Sequence, residues 1–217
     1  MATYLIGLDV GTSSAKAILI DEAGEVVDTV APTYDFSTPR PLWAESDPED
    51  WWVATTKALR TLTEKVGSEN VAGLGLTGQM HGLVMLDGGG RVLRPCIMWN
   101  DQRTESQCAA ITEKVGVERV LQLTGNPILP GFTAPKIAWV RENEPEVFAQ
   151  VDKILLPKDY VRYRLTGDFF TDVSDASGMS LLDVANRTWS EEMVAALEIP
   201  SSWLPEVTES PVASTKI

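Results

Sequence analysis

The stretch Tyr4-Leu5-Ile6-Gly7-Leu8-Asp9-Val10-Gly11-Thr12-Ser13-Ser14-Ala15-Lys16-Ala17-Ile18-Leu19-Ile20-Asp21 decides how this chain begins to fold. Tyr4 to Asp9 and Ala15 to Asp21 are apolar, β-rich runs, and Gly11 to Ser14 between them is turn chemistry. Ala23-Gly24 gives a second turn and Glu25 to Val30 a third strand, so the chain opens with a β-meander, not a βαβ unit. The first turn also carries chemistry. A hairpin tip of Gly, Thr and Ser offers N–H groups and hydroxyls that can form a concave anion nest, and Gly11 permits positive φ and close approach. Asp9, at the strand end, suits a hydrated Mg²⁺, which takes few carboxylates and several waters. Lys16 adds a positive charge in the next strand. The motif is not a Walker A loop, because it lacks G-x-x-x-x-G-K-[ST] and leads into a strand. An ordinary hairpin turn fits the same residues, so both readings stand.

Composition narrows the field. The 217 residues suffice for one large domain or two small ones. With 44% hydrophobic and 23% charged residues, the chain reads as an ordinary globular protein. The 18 Lys and Arg against 31 Asp and Glu leave a net charge of −13. That balance argues against nucleic acid or an anionic membrane as the partner, since both need a positive footprint. Two cysteines, Cys96 and Cys108, and one histidine make neither a disulfide scaffold nor a zinc site. The N-terminus carries no basic leader and no long apolar stretch, so a cytoplasmic protein is expected.

Further along, Pro39, Pro41 and Pro48 punctuate a loop before a helix that Asp47 caps and Pro48 starts, with Trp51, Thr55, Ala58, Leu59, Leu62 and Val66 on one face. Short apolar runs follow at Val71 to Leu76 and Gly82 to Leu86, and Asp87-Gly88-Gly89-Gly90 reads as a turn. Helices are expected over 103–115, 117–123, 134–141, 158–165 and 190–197. Together these elements predict an α/β fold, a mixed β-sheet flanked by helices.

The lone His81 sits in Gly78-Gln79-Met80-His81-Gly82, at the end of an apolar run, which describes a rim where imidazole and amide groups can meet ligand hydroxyls. A satisfied loop histidine is the bland alternative. Trp99-Asn100-Asp101-Gln102-Arg103 sets an aromatic face beside polar groups, as a sugar site does, yet Asn100 or Asp101 could equally cap the helix from Arg103. In Gly131 to Asn143, Phe132, Ile137, Trp139 and Val140 can pack a helix that Pro135 starts, while Lys136 is either a ligand or a snorkelling surface charge. Thr171 to Ser177 reads as a scaffold braced by Asx and Ser hydrogen bonds, and Trp43, Trp51 and Trp52 as packing or interface.

Ile6 to Ser13 resembles the first phosphate loop of the actin-like ATPase (RNase H-like) superfamily. The segments Gly78–Gly82, Trp99–Arg103 and Gly131–Asn143, in that order, resemble the FGGY carbohydrate kinases, and among them those acting on D-xylulose. The resemblance implies an N-terminal kinase domain over residues 1–217, with a second actin-like domain absent. It implies ATP and Mg²⁺ as cofactors, phosphate binding by Gly11, Thr12, Ser13 and Lys16, and metal binding by Asp9. Gln79, Met80, His81, Trp99, Asp101 and Arg103 become the sugar contacts, with His81 a hydrogen-bonding group and not the base. The reaction implied is γ-phosphoryl transfer from ATP to D-xylulose, giving D-xylulose 5-phosphate. Gluconate or ribulose is the alternative sugar, and a non-catalytic actin-like sugar-binding module the alternative class. The family's general base is an Asp of a Gly-Gly-x-Asp-like motif in the second domain, expected beyond residue 217, so this chain alone is expected to be inactive. The partners implied are a small sugar and ATP, with neither nucleic acid nor membrane; a homodimer is compatible with the family.

Overall fold

The computed structural model describes residues 3–213, 215 and 216; Met1, Ala2, Ser214 and Ile217, the margins of the segment read as one lobe, lie outside the described residues. Strands β1 (Tyr4–Val10), β2 (Ala15–Ile20) and β3 (Val26–Val30) form the expected meander. After the short β4 (Glu45–Ser46), helix α1 (Pro48–Val66) lays Trp51, Ala54, Ala58 and Leu62 on Ile6, Leu8, Val10, Ala15, Ala17 and Leu19. Strand β5 (Val71–Gly78) then returns parallel to β1, and the mixed sheet runs β3-β2-β1-β5. Strand alternation decides which side chains stay accessible. With Leu8 and Val10 buried, Asp9 takes the other face, where Lys16 is its cross-strand partner and both are exposed.

Asp47 accepts the Glu49 N–H at 2.9 Å, and Pro48 occupies the first turn of α1. Asp47→Ala should therefore cost about 1 kcal/mol, read as a lower urea midpoint at unchanged m-value.

The second half layers β6 (Val84–Leu86), β7 (Cys96–Ile97), α2 (Glu105–Val115), α3 (Val117–Thr124), α4 (Thr133–Asn143), α5 (Pro145–Phe148), β8 (Lys153–Leu155) and α6 (Pro157–Thr166). Strand β9 (Phe170–Asp172), α7 (Val173–Ala176), β10 (Leu182–Asp183), β11 (Thr188–Trp189), α8 (Glu191–Ala196) and β12 (Glu206–Thr208) complete the order. The described residues form two hydrophobic cores, and the segment containing β6 divides them. Val84 and Leu86 face the sheet, α1 and α6, while Leu83 and Met85 face α2, α3 and α4. A strand buried on both faces reads as an unbroken apolar run, which is why 83–86 shows no alternation in sequence.

Two local expectations need correcting. Helix α2 starts at Glu105 with Thr104 in the N-cap position, so neither Asn100 nor Asp101 caps it. Helix α4 starts at Thr133, and Pro135 lies buried inside its first turn.

Candidate active site

Two loops meet at the carboxyl ends of adjacent parallel strands. Val10, at the end of β1, is paired with Gly78, at the end of β5, and the Gln79 N–H donates to Val10 O at 2.8 Å. A Cβ on Gly78 would stand 2.8 Å from Val10 O, so only glycine lets the strands end this close together. The turn after β1 and the rim after β5 are thereby neighbours, the position where ligands sit in open α/β sheets.

Gly11 is less of an anion donor than the sequence suggested. Its N–H donates to Ser14 O at 3.0 Å, and its carbonyl accepts from Tyr34 Oη at 2.6 Å and Gln79 Nε2 at 3.2 Å. Its φ is not positive, and a Cβ there would lie 3.3 Å from Ser14 O, so the position demands space and not a left-handed turn. Among the described residues, no acceptor takes the N–H of Thr12 or Ser13, which leaves these two to face an anion. Burial and the nearby Asp9 charge raise the Tyr34 phenol well above its ordinary pKa, keeping it a neutral donor to Gly11. As for a metal, among the described residues no group of three or more acidic, His or Cys side chains is arranged to hold an ion. One exposed carboxylate, Asp9, fits a water-rich Mg²⁺ that a phosphate ligand would help to hold, and does not fit an all-protein cage.

The rim is held more tightly than a surface loop. His81, and neither flanking glycine, adopts the left-handed conformation, with φ 64°. For a residue with a Cβ this costs on the order of 1 kcal/mol, and the surroundings over-determine it. His81 O accepts from Lys136 Nζ at 2.8 Å and Thr133 Oγ1 at 3.1 Å. Its ring meets Phe132 edge-on with centroids 4.6 Å apart, and Nδ1 lies 2.7 Å from Gly178 O. Burial lowers the imidazole pKa, with a smaller push from the Lys136 charge, against the opposing hydrogen bond to Gly178.

Lys136 is neither a snorkelling charge nor open to a ligand. It is fully buried, and Nζ also donates to Gly131 O at 2.8 Å. Burial pushes its pKa down to about 7, and the neutral amine still has two N–H groups for its two carbonyl partners. Gly131 in turn backs the Trp99 segment, since a Cβ there would sit 2.9 Å from Trp99 O. One lysine thus ties both walls of the rim.

The expected sugar contacts divide into two groups. Met80 is 53% exposed and Trp99 43% exposed, so both are within reach of a ligand. Trp99 also donates from Nε1 to Thr12 Oγ1 at 3.1 Å, joining the Trp99 segment to the turn after β1. Gln79 is nearly buried, and its Oε1 has no hydrogen-bond partner among the described residues. Asp101 and Arg103 are placed differently from the expectation: their side chains are 0% and 1% exposed and bonded to each other at 2.7 Å. Arg103 lies 3.7 Å from the centre of the Trp43 ring and reaches Glu45 at 2.8 Å. The pair braces the loop behind Trp99. Sequence alone could not separate this brace from a ligand contact, because the deciding partner, Glu45, lies 58 residues from Arg103. The Thr171–Ser177 scaffold is likewise tied from elsewhere, through buried Lys158, whose Nζ lies 2.6 Å from Asp159, 2.8 Å from Asp172 and 3.2 Å from Asp175.

The chain belongs to the FGGY family of carbohydrate kinases: the pattern of that family's N-terminal domain matches residues 4–217. It is 50% identical over 204 residues to a xylulose kinase from Klebsiella pneumoniae, a match covering 94% of this chain and 42% of that protein. A solved xylulose kinase structure from Brucella ovis superimposes with a TM-score of 0.90 at 43% identity, over 95% of this chain and 43% of that one. A gluconate kinase from Lactobacillus acidophilus reaches the same TM-score, 0.90, at 30% identity, over 96% of this chain and 42% of its own. The chain therefore spans less than half the length of these relatives, and it shares their α/β, actin-like fold.

Proposed function

We propose that this chain is the sugar- and phosphate-binding lobe of a kinase that transfers the γ-phosphoryl group of ATP to D-xylulose, giving D-xylulose 5-phosphate. The observation that carries the reading is the meeting of the Thr12–Ser13 turn with the Gln79–His81 rim, joined by the Trp99–Thr12 hydrogen bond. The 50% identity to a xylulose kinase supports D-xylulose over other sugars. Met80, His81 and Trp99 contact the sugar, with Gln79 beside them; Thr12, Ser13 and Lys16 face the nucleotide phosphates. Asp9 would hold Mg²⁺, which neutralises charge on the transferring group when bound. The proton of the attacking hydroxyl goes to a carboxylate outside residues 1–217, so this lobe alone does not turn over.

The test is a coupled assay of a chain extended by the C-terminal half found in the relatives, against D-xylulose, D-ribulose and gluconate. D-xylulose is expected to give the highest kcat/KM, and Asp9→Asn to lower kcat by roughly 10²-fold with sugar KM little changed. Preference for gluconate, or full turnover by residues 1–217 alone, would overturn the reading.

A further inference from the structure

The rim carries two side chains whose polar atoms are already half committed. His81 Nδ1 faces a backbone carbonyl, Gly178 O, at 2.7 Å. A carbonyl cannot donate, so the proton of that bond belongs to the imidazole, and the Nδ1–H tautomer follows. Gln79 is constrained in the same way: the group 3.2 Å from Gly11 O must be its NH₂, and its Oε1 is enclosed by protein.

We propose that the rim after β5 presents an acceptor to the ligand: His81 Nε2 takes a hydrogen bond from a ligand hydroxyl and disfavours a carboxylate or carbonyl oxygen. The inference rests on the sugar-site reading above and adds which functional group must face the rim.

Two observations support it independently of the relatives. No protein group among the described residues bonds His81 Nε2. The ring also cannot easily turn over: Phe132 lies edge-on to it, and a Cβ at Gly178 would come within 2.4 Å of Cε1, so Gly178 is the gap into which the ring fits. The lowered imidazole pKa agrees, since a protonated ring would turn Nε2 into a donor and welcome a carboxylate.

A ketose or polyol has hydroxyl hydrogens to give at this rim, whereas an aldonate presenting its carboxylate would set lone pairs against lone pairs.

His81 is the single histidine, so ¹⁵N-edited imidazole NMR of the 217-residue chain gives one ring to read. At pH 7.5 the free chain is expected to show protonated Nδ1 and bare Nε2; an Nε2–H tautomer or an imidazolium would overturn the proposal. Titrating xylitol and then D-xylonate into the same sample should move the Nε2 resonance toward the protonated end of its range. Xylitol should do so at concentrations roughly tenfold lower. Equal or tighter binding of D-xylonate would also overturn it. If D-xylulose and both analogues leave the whole spectrum unmoved, the sugar-site reading fails, while the free-chain spectrum still decides the tautomer.

Discussion

Asp101→Ala is expected to destabilise the fold by about 3–5 kcal/mol, the range for removing one partner of a buried ion pair. Asp101 accepts from Ala44 N at 2.7 Å, from Arg103 N at 2.9 Å and from the Arg103 guanidinium at 2.7 and 3.0 Å. Without it, the Ala44 N–H is orphaned and Arg103 keeps only Glu45, which it already shares with Arg94. Arg94 is itself tied to Glu144 at 2.7 Å, so the loss reaches the end of α4. Stacking on Trp43 and Trp139 holds the guanidinium plane in place but supplies no counter-charge. Asp101→Asn keeps an acceptor for Ala44 N and should lose less. Urea unfolding of the three proteins separates brace from ligand contact. A loss below about 1 kcal/mol, with weakened sugar binding, would return Asp101 to the sugar site.

Lys158→Met should be comparably severe at neutral pH and milder in acid. Burial, the largest single influence on Lys158, lowers its pKa, but the summed pull of Asp159, Asp175 and Asp172 outweighs it and holds the ammonium above the ordinary lysine range. Its contribution is therefore fully present below the unfolded lysine pKa and is lost only as pH rises through the higher folded value. Asp175 is shifted upward, chiefly by burial. Asp172 is lowered overall: burial raises it, and Lys158, Ser210 and the Ser174 N–H together more than offset that. Removing the cation leaves three carboxylates crowded with no counter-charge, again about 3–5 kcal/mol at pH 7.5. In the variant Asp172 and Asp175 lose the cation that lowers their pKa and titrate at higher pH, so by pH 5 the folded state takes up protons that the unfolded chain does not, and the deficit shrinks. Paired urea melts at pH 7.5 and pH 5 measure the gap. A gap that stays constant or widens in acid would mean that Lys158 acts by packing and not by charge.

What could be read in advance follows physical range. The meander, α1 with its Asp47 cap, and helices α2, α3, α4, α6 and α8 rest on periodicity and capping, which act over one or two turns. The four-residue α5 and α7 are too short to show a period. Strands β8 to β12 have two or three residues each, too few for alternation to show, and they exist through partners far along the chain, as in Phe170 opposite Glu206. The rim divides along the same line. Glycines around His81 marked it as a loop of interest, and Gly78 and Gly82 are indeed needed, for close approach to Val10 O and to Pro157. Lys136 defeats a local reading, because nothing nearby in sequence distinguishes a lysine bound for solvent from one reaching carbonyls five and 55 residues away. Asp101 and Arg103 have a composition that sugar sites and buried braces share, and only the tertiary partners Ala44 and Glu45 tell the two apart.

With sugar and phosphate bound as proposed, the bond between Trp99 Nε1 and Thr12 Oγ1 would make the two ligands thermodynamically dependent on one another. A phosphate that recruits the Thr12 hydroxyl changes what the indole is bonded to, and a sugar stacked on the indole changes what Thr12 can offer. Linkage makes any such effect reciprocal: whatever factor the nucleotide applies to sugar affinity, the sugar applies to nucleotide affinity. Phenylalanine at position 99 would keep an aromatic face for the sugar and delete the indole N–H. The two affinities would then be decoupled at this contact, and the size of that change is the coupling free energy carried by one hydrogen bond.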